Sequence, residues 1–380
     1  MKKITTIILA IIVFIGLPIL SLAQENNDIN HQADEVFNAE VTKIIEEKEI
    51  TRENGSLFYQ QNLELKGLTD KWKDKVIAYQ GVSEMDLIGL SRFKVGDKVV
   101  VQKSSAPDSE DQFFITDYVR QDSLYWLIGL FIITILIIGQ KKGFKSLLGL
   151  IISFLIIIKL MLPQILAGSN PIIVGIIGSL AILTIIIYLS DGFNQKSNLA
   201  ILSVLISLTI TMVLSLIFTN LVNLTGMVQE EATFLLGLGQ HVINFKGLLL
   251  AGMLIGAVGV LDDVIVGQIE TVKQIKEANP NLKNKQVFKM AYQVGNTHLG
   301  AIVNTLFLTY TGASLPLMLL FIIKQEPFIS FNQVINNEII ATELVRTFVG
   351  SIGIALSMPI ATFLGAYLLK NKKYGKNKLA

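Results

Sequence analysis

Gly252-Met253-Leu254-Ile255-Gly256-Ala257-Val258-Gly259-Val260-Leu261-Asp262-Asp263 is an apolar, glycine-punctuated run that ends in two adjacent carboxylates. It sits in an apolar stretch of about 247–267, enough to cross roughly 30 Å of hydrocarbon as a helix. A basic loop follows, and the chain re-enters apolar sequence through Gly295-Asn296-Thr297-His298. Acids and an imidazole thus meet the membrane at the mouths of two consecutive spans. That arrangement points to a polar site inside a helix bundle.

The rest of the composition agrees. Of 380 residues 51% are hydrophobic and only 16% charged, too little charge to cover a soluble surface of this size. A net charge of +2 leaves no footprint for nucleic acid. Without cysteine there is no disulfide, thiol nucleophile or thiolate metal site. The chain also lacks the GxxxxGK[ST] loop of nucleotide binding, the GxSxG elbow and the GxGD signature of intramembrane proteolysis. Neither an enzyme nor a bound cofactor or nucleotide is expected.

Apolar runs recur at about 124–139, 145–162, 171–190, 199–222, 247–267, 299–323 and 339–369. The expected fold is mostly α, a polytopic membrane bundle of about seven spans over 124–369. Every second connection is basic. Lys141, Lys142 and Lys145 follow the first run, Lys196 the third, and Lys273, Lys276, Lys283, Lys285 and Lys289 the fifth. A basic tail, 370–380, ends the chain. The C-terminus is therefore expected in the cytoplasm and the N-terminal domain outside. Lys159, a lone charge in the second run, lies where a long stem snorkels to the interface.

The N-terminus supports that orientation. Lys2 and Lys3, an apolar run to Leu20 and Ser21-Leu22-Ala23 describe either a signal peptide over 1–23 or an uncleaved signal anchor. Over 24–123 short β-branched and aromatic segments alternate with turn signals such as Asn54-Gly55, Gly81, Gly96-Asp97 and Pro107-Asp108. Five short strands are expected there, as a small exported β-barrel-like domain of OB or SH3 type, with Phe93 to Val101 as a hairpin.

Within the fifth run Gly252, Gly256, Gly259 and Asp263 share one helix face. Gly252 and Gly256 form the small-residue step of closely packed helices. Asp263 is expected to extend that packed seam, with Asp262 turned about 100° aside. The acids are either hydrated at the cytoplasmic boundary or a turn inside it, where proton or cation binding is their natural use. On the next span Asn296, Gly300 and Asn304 share a face beside a stripe of His298, Thr305 and Thr309. These groups either join an ion site or hydrogen-bond helices together. Gly312 to Pro316 interrupts that span, and Pro359 marks a kink in the last. Glu343 and Arg346, three residues apart, form a candidate ion pair at the outer mouth.

Several of these segments carry a family resemblance. Val95-Gly96-Asp97-Lys98-Val99, Gly143-Phe144-Lys145-Ser146-Leu147, Leu162-Pro163, Gly247 to Gly256 and Gly259-Val260-Leu261-Asp262-Asp263 are part of it. Asn304-Thr305-Leu306, Gly312-Ala313-Ser314-Leu315-Pro316, Glu343-Leu344-Val345-Arg346 and Gly350-Ser351 continue it. With them the chain resembles the YibE/F-like family of bacterial multipass membrane proteins. The resemblance implies a bacterial plasma-membrane protein whose partners are the lipid bilayer and either a related membrane protein or a second copy of itself. Buried polarity without nucleotide machinery points first to a transporter or permease component, with Asp262 and Asp263 as carriers and Asn304, Asn296 and His298 nearby. The rival is a sensor or assembly scaffold whose exported β domain binds a ligand or partner.

Overall fold

The computed structural model describes residues 35–51, 57–82, 92–104, 111–227, 232, 235, 243–324, 326 and 328–370. The signal segment, the Asn54-Gly55 and Pro107-Asp108 turns, Glu230, Glu231, His241 and the tail beyond Lys370 lie outside them. The chain divides into two compact units, 23–134 and, for the rest of the described chain, 135 onward.

The first unit is a curled antiparallel sheet of β1 (Glu35–Thr51), β2 (Leu57–Gly67), β3 (Val76–Gln80), β4 (Lys98–Ser104) and β5 (Gln112–Tyr118), in the order β3-β2-β1-β4-β5. The curl brings the two edge strands, β3 and β5, into contact. Alternation drives the packing, because successive strand residues face opposite sides. Phe37, Ala39 and Val41 on β1 meet Leu63, Leu65, Ile77, Tyr79, Val99, Val101 and Ile115 in one core. All five expected strands are present. The expected hairpin at Phe93 to Val101 is instead a tight turn leading into one strand. Gly96 takes φ 94°, and the turn docks on β1 through Gly96 N–H to Val41 O at 2.8 Å. Asp97 Oδ2 accepts from Lys94 N–H at 2.7 Å and Asp97 N–H donates to Lys94 O at 3.0 Å, which closes the turn from both sides. Gln61 clamps the preceding segment, accepting from Phe93 N–H at 2.7 Å and donating to Phe93 O at 3.0 Å.

One position in this unit is exacting. A Cβ on Gly67 would lie 2.0 Å from the Trp72 carbonyl oxygen, which itself accepts from Lys75 N–H at 3.0 Å. Gly67→Ala is therefore expected to destabilise the sheet by about 1–3 kcal/mol. The chain has two tryptophans, so Trp126→Phe leaves Trp72 fluorescence as the reporter of unfolding.

The second unit is helical. Its elements are α1 (Gln121–Ile156, of which residues from 135 belong here), α2 (Leu162–Leu166), α3 (Pro171–Asp191), α4 (Gln195–Leu221), α5 (Phe245–Ala278), α6 (Asn284–Ala313), α7 (Leu315–Ile323), α8 (Phe331–Asn336) and α9 (Glu338–Leu368). A π-helical turn, Ile157–Met161, joins α1 to α2 and leaves Lys159 exposed. Among the described residues five helical stretches are long and apolar enough to cross a membrane, and α6 with α7, bent by 68°, makes a sixth if counted as one span. The first stretch, Gln121–Leu166, holds two of the expected runs, with a break at Gln140 (φ 48°, ψ −127°). Large apolar side chains stand exposed along α1, α3 and α4, as on a surface facing lipid. The chain is read as embedded in a membrane on that account.

α5 sits at the centre of the bundle, packed by α3, α4, α6 and α9. Leu254, Leu261, Ile265 and Ile269 meet Leu183, Ile187, Val204, Ile354 and Ala361 in the core. The basic loop after the fifth run is largely helical: α5 runs on to Ala278, the chain breaks at Asn279-Pro280, and α6 resumes at Asn284. The interruption at Gly312 to Pro316 is the α6–α7 bend. α9 runs through Pro359 as one helix.

Candidate functional site

The central helix buries its branched residues and leaves its small ones outside. Leu250, Leu254, Ala257, Leu261, Ile265 and Ile269 are buried, whereas Gly252, Gly256, Gly259 and Asp263 are exposed. The glycine seam expected to pack is therefore the open face. A Cβ built on Gly252 or Gly259 meets nothing within 4 Å, and on Gly256 only the Tyr310 hydroxyl, at 3.0 Å. The reason is packing, since a leucine inside the bundle gains far more van der Waals contacts than a glycine. The roles of the two acids are reversed accordingly. Asp262 is the half-buried one, and its Oδ1 is buried without a hydrogen-bond partner.

Asp262 lies on a stripe that descends α5 in steps of three or four: Leu248, Gly252, Ile255, Gly259, Asp262, Val266, Glu270, Lys273 and Glu277. The upper members, Leu248, Gly252 and Ile255, line a cavity of about 340 Å³ shared with Met161, Thr342, Glu343 and Arg346. The lower members, from Val266 to Glu277, line a basin of about 680 Å³. Asp262 falls between the two, about 10 Å along the helix from Ile255 and about 6 Å from Val266 at 1.5 Å per residue. Asp263 and Asp191 are the charges that act on it.

The cavity at the Leu248 end of the stripe holds the expected ion pair. Arg346 Nη1 lies 3.0 Å from Glu343 Oε1, and its guanidinium stands 5.9 Å from the Tyr310 ring centre. Arg346 Nε is buried with no partner. The basin holds a larger network. Lys196 Nζ lies 2.9 Å from Asp191 Oδ1 and 2.7 Å from Glu270 Oε2, and Lys273 reaches Glu270 Oε1 at 3.1 Å. This network ties the α3–α4 corner to α5.

The α6 groups do not join the acids. Asn296, His298 and Asn304 are exposed, and none is hydrogen-bonded to Asp262 or Asp263. α5 and α6 run antiparallel, with Gly295 against Gln268 and Tyr310 against Gly256. The Gly295 contact sets Asn296 and His298 near the Gln268 end of α5, toward the basin. Thr305 and Thr309 donate to their own helix, to Ala301 O at 2.9 Å and Thr305 O at 2.7 Å. Among the described residues no cluster of three or more His, Asp or Glu is arranged to hold a metal ion.

The sequence model of a family described as YibE/F-like protein matches residues 127–371. The chain belongs to the YibE/F-like family. The match takes in every helix that lines the two cavities and both aspartates, and it begins after β5, so the curled sheet lies outside it. No curated protein and no solved structure matches the chain.

Sequence reasoning missed two features of this YibE/F-like chain. Asp191, Lys196 and Glu270 read as ordinary boundary charges, because nothing local reveals that a corner and a helix turn meet. Gln268 is the other. It is 5% exposed, and its Nε2 donates to Ala291 O at 2.7 Å and Thr362 Oγ1 at 2.8 Å, joining three helices. A lone amide directly after an apolar span was the available signal. Gln268→Leu leaves two buried groups short of a partner, at a cost of about 1–3 kcal/mol. A lowered melting temperature of the detergent-purified chain checks it.

Proposed function

We propose that this YibE/F-like protein is a transporter or permease component of the bacterial plasma membrane, with Asp262 taking up a proton or a cation. The observation that carries this reading is the single α5 stripe lining a cavity toward each end, with an unpartnered carboxylate oxygen between them. Acids inside a bundle mark ion paths because an unpaired charge there is costly to keep for any other purpose. In this reading Asp262 binds cargo or coupling ion, and Asp263 tunes the charge beside it. Glu343 and Arg346 close the outer side, and the Asp191–Lys196–Glu270 network closes the inner one.

The accompanying topology has seven spans, two of them formed by the broken first stretch. The curled sheet lies outside behind a signal segment ending at Ala23, and the C-terminus is cytoplasmic. The sheet order supports an OB-like barrel for the exported domain. Proteoliposomes holding the full chain, screened with protons, metal cations and small metabolites, are expected to show flux above protein-free vesicles. Absence of any flux across that panel overturns the reading. If deleting Gln24 to Asp122 then removes recruitment of a partner protein, the chain is a scaffold.

A further inference from the structure

We propose that the basin at the inner end of α5 binds a phosphate-bearing anion. Its walls carry five lysines, and their charges are not balanced by the acids there. Lys196 and Lys273 are paired with Asp191 and Glu270. Lys142, Lys276 and Lys370 also line the basin, and among the described residues none has a carboxylate within ion-pair distance. Against these three lysines, among the described residues of the lining, stands one acid outside the ion-pair network, Glu277. Lys276 is the most telling. It is 6% exposed, and its Nζ donates to the Leu369 carbonyl at 2.6 Å, a neutral partner. A buried cation without a counterion is expensive unless an anion completes it.

The chemistry of the anion follows from the donors. These three lysines come from three separate segments: α1, α5 and the chain just after α9. Lysine ammoniums are point charges, and the lining has no arginine fork to match a planar carboxylate. A tetrahedral group with several oxygens suits point charges set on separate elements better. The wall is held in place, because Gln195 donates to Leu368 O at 2.8 Å and accepts from Lys370 N–H at 3.2 Å. A volume of about 680 Å³ admits a phosphate with its substituent. The source is either an anionic lipid headgroup, which basic pockets between membrane helices bind, or a soluble phosphate.

The site is defined by binding, so it stands or falls apart from transport. The test uses the full chain in nanodiscs of phosphatidylcholine, titrated with inorganic phosphate, and native mass spectrometry of the chain purified with phosphatidylglycerol. Lys142→Gln with Lys370→Gln is the first variant, since both side chains are at the rim. Lys276→Gln is the second. Phosphate binding that weakens at least tenfold in the double variant identifies a soluble ligand. Retention of phosphatidylglycerol by the parent, lost in the double variant, identifies a headgroup. Neither ligand bound by the parent, or both bound equally by the variants, overturns the proposal.

Discussion

Asp262→Asn is expected to reduce flux by at least tenfold, while Asp263→Asn reduces it less than threefold. The contrast follows from where each carboxylate sits. Asp262 is half-buried between two cavities, with a buried oxygen that has no hydrogen-bond partner among the described residues. Asp263 faces outward on the open glycine side, where it influences its neighbour only through charge. Asparagine keeps the shape of aspartate and removes both its charge and its protonation. Folding is therefore preserved, and equal expression of both variants is part of the result. The assay is reconstituted flux of whichever ion or metabolite the screen finds. Equal loss in the two variants, or none in Asp262→Asn, removes Asp262 from the mechanism.

The second large effect concerns packing. Ser203, Ser207, Thr211, Ser215 and Thr219 recur every four residues on α4, and all are fully buried. α9 closes on this stripe, and a Cβ on Gly353 would sit 2.1 Å from Thr211 Oγ1, 3.1 Å from its Cβ and 3.2 Å from its Cγ2. Rotating Thr211 relieves one of those contacts only by moving another atom into the gap, since it is branched at Cβ. Gly353→Ala is expected to cost about 1–3 kcal/mol and to lower the melting temperature in detergent. Thr211→Gly in the same chain restores part of the loss. Failure of that second change to restore anything would show that the two helices do not meet there.

Much of the architecture is legible in the sequence, for physical reasons that differ between the two units. The strands announce themselves through alternation, because one face of the sheet must be apolar and the turns between are chemically distinct. The spans announce themselves through length, because hydrocarbon demands an apolar run of fixed size. The broken first stretch is less legible, since Gln140 disturbs the helix without ending the apolar composition. The orientation of a helix inside a bundle is least legible. A glycine-rich face reads as a packing face, yet on α5 the leucines and isoleucines of the other faces had more neighbours to gain. That single rotation exchanged the expected roles of Asp262 and Asp263. It also separated Asn296, His298 and Asn304 from the acids, although all lie on adjoining helices. The ion network of Asp191, Lys196 and Glu270 joins residues up to 79 positions apart in the chain, and long-range pairing of that kind leaves no local pattern.

The chain contains no cysteine, so single cysteines report accessibility without background. The central claim is that one α5 stripe opens to water toward each end with Asp262 between. Ile255→Cys and Val266→Cys, each treated from one side of the membrane at a time with a membrane-impermeant thiol reagent, test it directly. Ile255→Cys is predicted to react from the outside only and Val266→Cys from the inside only. Failure of both to react from either side, while thiols on the lipid-facing helices behave the same way, would contradict it.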